Sequence, residues 1–274
     1  MGMNDMWEAL QLEFIRNAVI SGMLVSLVCG VIGTLVVVNR IVFLAGGIAH
    51  AAYGGIGLAF FMGWPYLAGT LGFSLFSAGV MAVVTLKAKH RADAMVGIIW
   101  AVGMAVGIIL LDLTPGYNAD LMSYLFGSIL AVPASDLWQM AAMATAVIAI
   151  VVYYYHDFLA MSYDDEFALL RRVPVTFLYC LLLGMIALTV VMIIRVVGLI
   201  LVIALLTIPP FIAEKFTGSL KTMMAASSIL SGLFTLIGLW LSYLLNLTSG
   251  ATIIIVAAGG FLVASLWERW KRYA

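Results

Sequence analysis

The chain has 274 residues, 65% of them hydrophobic and only 9% charged, with a mean hydropathy of +1.18. A water-soluble domain carries about 25% charged residues, so this one lacks the surface to stay in water. Thirteen Lys+Arg against thirteen Asp+Glu leave a formal net charge of zero, which excludes the basic face that nucleic-acid binding requires.

These numbers predict an all-α integral membrane protein, a polytopic helical bundle of about nine transmembrane spans forming a single domain over residues 1–274. The opening residues carry no positive n-region ahead of a short apolar core, so no cleaved signal peptide is expected. Between Arg16 and Arg40 lie 23 uncharged residues, enough for a first span. From Ile41 to Leu86 no residue is charged, and Gly63-Trp64-Pro65 breaks the run into spans two and three. Ala94 to Leu111 is the fourth. Asp112 to Asp120 reads as a loop, and Leu121 to Val132 as a re-entrant or interfacial helix too short to cross. Leu137 to Tyr155 is the fifth span, Val173 to Ile194 the sixth, and Val196 to Ile208 a short seventh ended by Pro209-Pro210. Phe211 to Gly218 then reads as a short amphipathic helix at the membrane surface. Thr222 to Trp267 is uncharged and breaks at residues 246–250, giving spans eight and nine.

Nine spans place Arg40, Lys87, Lys89, Arg91, Arg171, Arg172, Lys215, Lys221, Arg269, Lys271 and Arg272 on one side, and only Arg16 and Arg195 on the other. The positive-inside rule puts the richer side, and with it the C-terminus, in the cytoplasm. Small residues (Gly103 and Gly107 in span four; Gly54, Gly55 and Gly57 in span two) predict close helix contacts, inside the chain more readily than at a dimer seam. Cys29 and Cys180 sit in apolar runs and read as packing residues.

There is no GxxxxGK[ST] phosphate loop, no HExxH and no GxSxG, so the chain is not expected to hydrolyse ATP or act as an enzyme. Of three histidines, His90 and His156 fall at an interface. His50 lies about nine residues inside span two, where an ionisable side chain is costly. It is either hydrogen-bonded to a neighbouring helix or a metal ligand, and the residue one turn before it is Gly46. Buried mid-span acids that would relay ions in a secondary transporter are absent, and so is a second catalytic group at the depth of His50.

Five segments carry a resemblance. Arg40 to Gly55 is similar to R-x-x-F-L-G-D-A-L-S-H-A-x-L-P-G; Asp93 to Ile98 to D-A-x-x-G-I; Tyr124 to Leu130 to Y-L-F-G-x-I-L. Tyr163 to Ala168 resembles F-D-x-x-F-A, and Val197 to Ala213 resembles V-G-x-L-L-V followed by L-L-x-x-P-A-x-x-A. In this order they resemble the permease subunits of bacterial metal-ion ABC importers, the zinc/manganese/iron type.

The resemblance implies a type II ABC importer-like permease in the bacterial inner membrane. Its partners would be two copies of a cytoplasmic ATP-binding subunit, an extracytoplasmic metal-binding protein and a second permease copy, most simply a homodimer. It implies no bound cofactor, only a transported divalent metal. The 209–220 stretch would be the coupling helix, with Pro209, Pro210, Glu214, Lys215 and Gly218 seated on the ATPase, and His50 would touch the metal. The family's aspartate and serine positions are here Gly46 and Ala49; keeping imidazole while losing a hard carboxylate favours zinc over manganese. Asp112, Asn118 and Asp120 would form an outer entrance. Within the same class, a siderophore or cobalamin permease is the competing reading.

Overall fold

The computed structural model describes residues 12–87, 92–114 and 132–273, together with Gly127 and Ile129. Every element among them is helical: α1 Glu13–Val38, α2 Val42–Met62, α3 Tyr66–Lys87, α4 Ala92–Asp112, α5 Ala134–Tyr153, α6 Tyr155–Tyr163, α7 Asp165–Leu170, α8 Val175–Glu214, α9 Leu220–Leu245 and α10 Ser249–Tyr273. In hydrocarbon the backbone must satisfy its own N–H and C=O groups, and an apolar helix does so with i→i−4 bonds. Among the described residues, nine helical stretches are long and apolar enough to cross a membrane, two of them within α8.

The chain divides into two compact units. In the unit formed by Leu35–Leu121 and Ala149–Val191, α2 is the buried centre and α3 and α4 lie against it. Its sequence has small residues on every side, and the packing uses them. A Cβ added to Gly57 would collide with the Gly107 backbone, and one added to Gly103 would meet the Ala51 Cα at 2.9 Å. The glycines of spans two and four therefore serve contacts within the chain, where lipid offers no hydrophobic drive and close approach supplies dispersion.

The other unit, Met1–Thr34, Met122–Ile148 and Met192–Ala274, packs α1 on α9 through hydroxyl groups. Ser26 Oγ lies 3.1 Å from Thr235 Oγ1, and Thr34 Oγ1 donates to Ser227 Oγ at 3.3 Å. Each such bond between membrane helices contributes about 0.6 kcal/mol. Ile212, Phe234 and Ala257 form an apolar cluster that joins the end of α8 to α9 and α10. Cys29 is buried, Cys180 is exposed, and both are free thiols.

Several helix ends close in the same way, with a left-handed residue and paired 6→1 and 5→2 hydrogen bonds. At the end of α2 this residue is Gly63, with Trp64 N donating to Ala59 O at 2.8 Å. Asn246 holds the left-handed position after α9, with Leu247 N and its own N–H both donating to Ser242 O rather than making the 5→2 bond. At the ends of α1 and α7 the same position is taken by arginine: Arg40 (φ 57°) and Arg172 (φ 61°). Ile41 N donates to Val36 O at 3.0 Å, and Val173 N to Ala168 O at 3.0 Å. Left-handed backbone costs a side-chain-bearing residue roughly 1–2 kcal/mol, so these two arginines occupy positions where glycine would be cheaper.

The expected stop at Pro209-Pro210 does not occur. Span seven is not short: it runs Val197–Glu214, both prolines are buried inside α8, and there is no separate surface helix over 211–218. Helix α8 ends at Glu214, and a turn over 215–219 leads directly into α9. The prolines remove the donors for the Leu205 and Leu206 carbonyls. The Leu206 carbonyl is packed against the backbone of Gly33, close enough that a Cβ there would sit 2.6 Å from its oxygen. A helix held on its sides by neighbours tolerates this loss. The break in α8 falls instead at Gly198 (φ 74°, ψ 172°), a conformation open to glycine and little else. Gly127 abuts that break, and Ile129 is fully buried. The remainder of the expected re-entrant segment Leu121 to Val132, Val132 excepted, lies outside the described residues.

Candidate functional site

His50 sits on α2, half-buried, with its ring stacked on the indole of Trp100 from α4 at a centroid distance of 4.1 Å and an interplanar angle of 14°. Trp100 is itself pinned. Its Nε1 donates to Met104 Sδ at 3.2 Å, and Phe43 lies tilted against it at 6.2 Å. The stack occupies the face of the imidazole. Its nitrogen lone pair lies in the ring plane and stays available, and Nδ1 is buried with no hydrogen-bond partner. One turn before His50, Gly46 offers no donor, and Gly47 faces Val96 and Met81. Among the described residues no group of three His, Cys, Asp or Glu side chains could hold a metal. At this site the described residues present one imidazole, edge free and face clamped.

The other expected site residues lie apart. Asp112 is exposed as the last residue of α4, where a carboxylate opposes the helix dipole. Asn118 and Asp120 lie outside the described residues. Pro209 and Pro210 are buried, whereas Glu214 and Gly218 are exposed. Lys215 is committed within the chain: Nζ lies 3.0 Å from Glu268 Oε2 and 3.2 Å from Ser265 Oγ of α10, over the rings of Phe211 and Phe261.

A different surface is open. After α6, Asp164 caps α7, its carboxylate accepting from Phe167 N at 2.9 Å. Helix α7 buries Ala168 and leaves Phe167 51% and Leu170 83% exposed. The sequence names this Tyr163–Ala168 element as a motif, but not its exposed apolar face. Trp100 carries no local signal, because its partner His50 is far away in the chain.

The chain matches the ABC 3 transport family over residues 11–268. It belongs to that family. Among its relatives, an uncharacterised membrane protein of Synechocystis is 50% identical over 96% of this chain and 94% of the relative. The manganese transport system membrane protein of Listeria monocytogenes is 33% identical over 94% of this chain and 92% of that one. A chain of PsaBC from Streptococcus pneumoniae, solved with a Fab, superposes with a TM-score of 0.87 at 28% identity, covering 96% of this chain and 95% of that one. The resemblance to metal-ion ABC importer permeases is thereby met, and so is the all-helical membrane architecture. As an ABC 3 member the chain is a permease.

Proposed function

We propose that this chain is the membrane-spanning subunit of an ATP-driven importer that carries a divalent metal ion inward across the bacterial inner membrane. Family membership over residues 11–268 carries that reading. Two copies of an ATP-binding subunit would hydrolyse the nucleotide, an extracytoplasmic metal-binding protein would deliver the ion, and a second permease copy would complete the path. The side holding eleven of the thirteen lysines and arginines, with the C-terminus, faces the cytoplasm.

His50 acts as a transient ligand. A path must hold its ion weakly enough to release it, and a single imidazole with a free edge suits that task. Imidazole without a neighbouring carboxylate favours zinc over manganese. Manganese is the second reading, supported by the name of the Listeria relative. The ATP-binding subunit docks on α6 and α7, where Phe167 and Leu170 stand exposed; this replaces docking on the 209–220 stretch, whose lysine is already engaged.

Uptake of radioactive zinc and, separately, of radioactive manganese by metal-starved cells carrying the whole importer, each with the other ion at equimolar to excess concentration as competitor, tests the reading. Zinc uptake that survives manganese supports zinc. Suppression of zinc uptake at equimolar manganese assigns the second reading, and uptake of neither ion overturns divalent-metal import.

A further inference from the structure

Where α1, α3 and α6 end and α2 and α8 begin, the chain lines an open pocket of about 600 Å³. Part of its wall is apolar, including Val38, Leu86 and Val175, as expected beside acyl chains. The rest is polar and has a definite charge pattern. Arg40 supplies the cation and Asp165 the anion, and among the described residues neither has an ion-pair partner. Asn39 fixes one wall by donating to Leu35 O at 2.8 Å and to Ser162 Oγ at 2.9 Å. The Tyr179 hydroxyl is buried beside the Thr85 hydroxyl, which donates to Met81 O at 2.7 Å.

Arg40 is also the residue whose left-handed backbone would favour glycine. A charged side chain kept at a strained helix end, unpaired and lining a pocket, points to a ligand that uses it. One cation, one anion and a buried hydroxyl on the same wall match a zwitterion better than a simple anion. A guanidinium pairs with phosphate oxygens, and a carboxylate accepts from an ammonium that has N–H donors.

We infer that this pocket holds the headgroup of an ethanolamine glycerophospholipid, with the phosphate toward Arg40 and Tyr179 and the ammonium toward Asp165. Choline lacks N–H donors and leaves Asp165 unmatched; a glycerol headgroup lacks the ammonium. The apolar wall selects the lipid over free phosphoethanolamine.

The test uses the full chain in detergent, with thermal unfolding and native mass spectrometry in phosphatidylethanolamine, phosphatidylcholine, phosphatidylglycerol or soluble phosphoethanolamine. Phosphatidylethanolamine should raise the unfolding temperature most and be retained on the protein. Arg40→Gly relieves the backbone strain but loses a charge at the helix end and gains unfolded-state freedom, so it should fold about as well while its preference for phosphatidylethanolamine falls about tenfold or more, the value of one charge-assisted hydrogen bond. Asp165→Asn should erase the distinction between ethanolamine and choline lipids. Arg172→Gly, outside the pocket, should keep it. Equal shifts from all three lipids, or an undiminished preference in Arg40→Gly, overturn the site. A full shift from soluble phosphoethanolamine overturns its assignment to lipid.

Discussion

Two connections that the charge pattern of the sequence assigns to the lysine- and arginine-rich side show how differently charge and apolar surface report on partners. The turn at 215–219 has the charged, amphipathic sequence of a docking segment, yet its lysine is bonded to Glu268 and Ser265 and lies over two phenylalanine rings. The connection from Tyr154 to Pro174 forms two short helices and leaves Phe167, Leu169 and Leu170 exposed. A charge in a turn can be satisfied by the chain's own helices, so it says little about partners. Exposed leucine and phenylalanine beside a polar turn are a standing cost, and covering Phe167 and Leu170 would contribute on the order of 3 kcal/mol.

The largest effect should come from breaking that apolar face. Phe167→Asp combined with Leu170→Asp should abolish ATP-dependent uptake and release the ATP-binding subunit in pull-downs, while membrane insertion persists. If the subunit stays bound and only membrane partitioning of the segment changes, α7 is a lipid-surface helix and the docking assignment fails. Reversing the charge at Glu214 is the matched control on the other connection and should leave association intact.

Next in size is His50. Gln keeps much of a neutral histidine's hydrogen-bonding capacity but is a poor zinc ligand. A ligand role predicts that His50→Gln and His50→Ala both lose most zinc uptake with protein level and ATPase association unchanged. Near-normal uptake by His50→Gln would show that the imidazole matters only for packing on Trp100. Trp100→Leu sharpens the result: it removes the stack without touching the donor, so uptake should fall less than with His50→Ala.

Much of the architecture was legible in the sequence because lipid leaves the backbone few options. Charge-free runs between Arg16 and Arg40, Ile41 and Leu86, and Thr222 and Trp267 mark the spans, and Gly63-Trp64-Pro65 marks a turn that the structure closes with Gly63 in left-handed backbone. What escaped was tertiary. Pro209-Pro210 reads as a stop by local rules, but the helix continues, and one of the carbonyls it frees, that of Leu206, is packed against α1. Gly198, inside an unbroken apolar run, gives no local sign that the break falls there. Of the candidate site, His50 was visible as a polar residue in an apolar span, whereas the Trp100 clamp and the Lys215–Glu268 contact join residues distant in the chain.

The Lys215 contact should matter to stability rather than to coupling. Glu268→Gln keeps the size and weakens the ion pair, which is partly screened, so a loss of about 0.5–1 kcal/mol is expected in denaturant unfolding. Lys215→Met adds the loss of the ring contacts and should cost about 1–2 kcal/mol. Both variants should retain ATP-dependent uptake per folded molecule. If either uncouples ATP hydrolysis from uptake while stability is unchanged, the 215–219 turn is a docking surface after all, and the contrast between the two connections collapses.

The smallest effect is the one that separates apolar from charged docking most finely. Arg172 follows α7 in left-handed backbone at φ 61°. Arg172→Gly removes a strain of roughly 1–2 kcal/mol. Against this stand the favourable charge at a helix C-terminus, about 0.3–1 kcal/mol, and the greater unfolded-state freedom of glycine, about 0.5–1 kcal/mol. The terms nearly cancel, so stability should change by less than about 1 kcal/mol. With stability held, the variant asks a clean question of the neighbouring surface. If Phe167 and Leu170 carry the contact, removing a cation two residues from Leu170 should leave ATPase association and uptake within about twofold of the parent, the effect of a rim charge. A much larger loss at equal stability would mean that an acidic patch on the ATP-binding subunit reads Arg172, and that α7 docks through charge rather than through its apolar face.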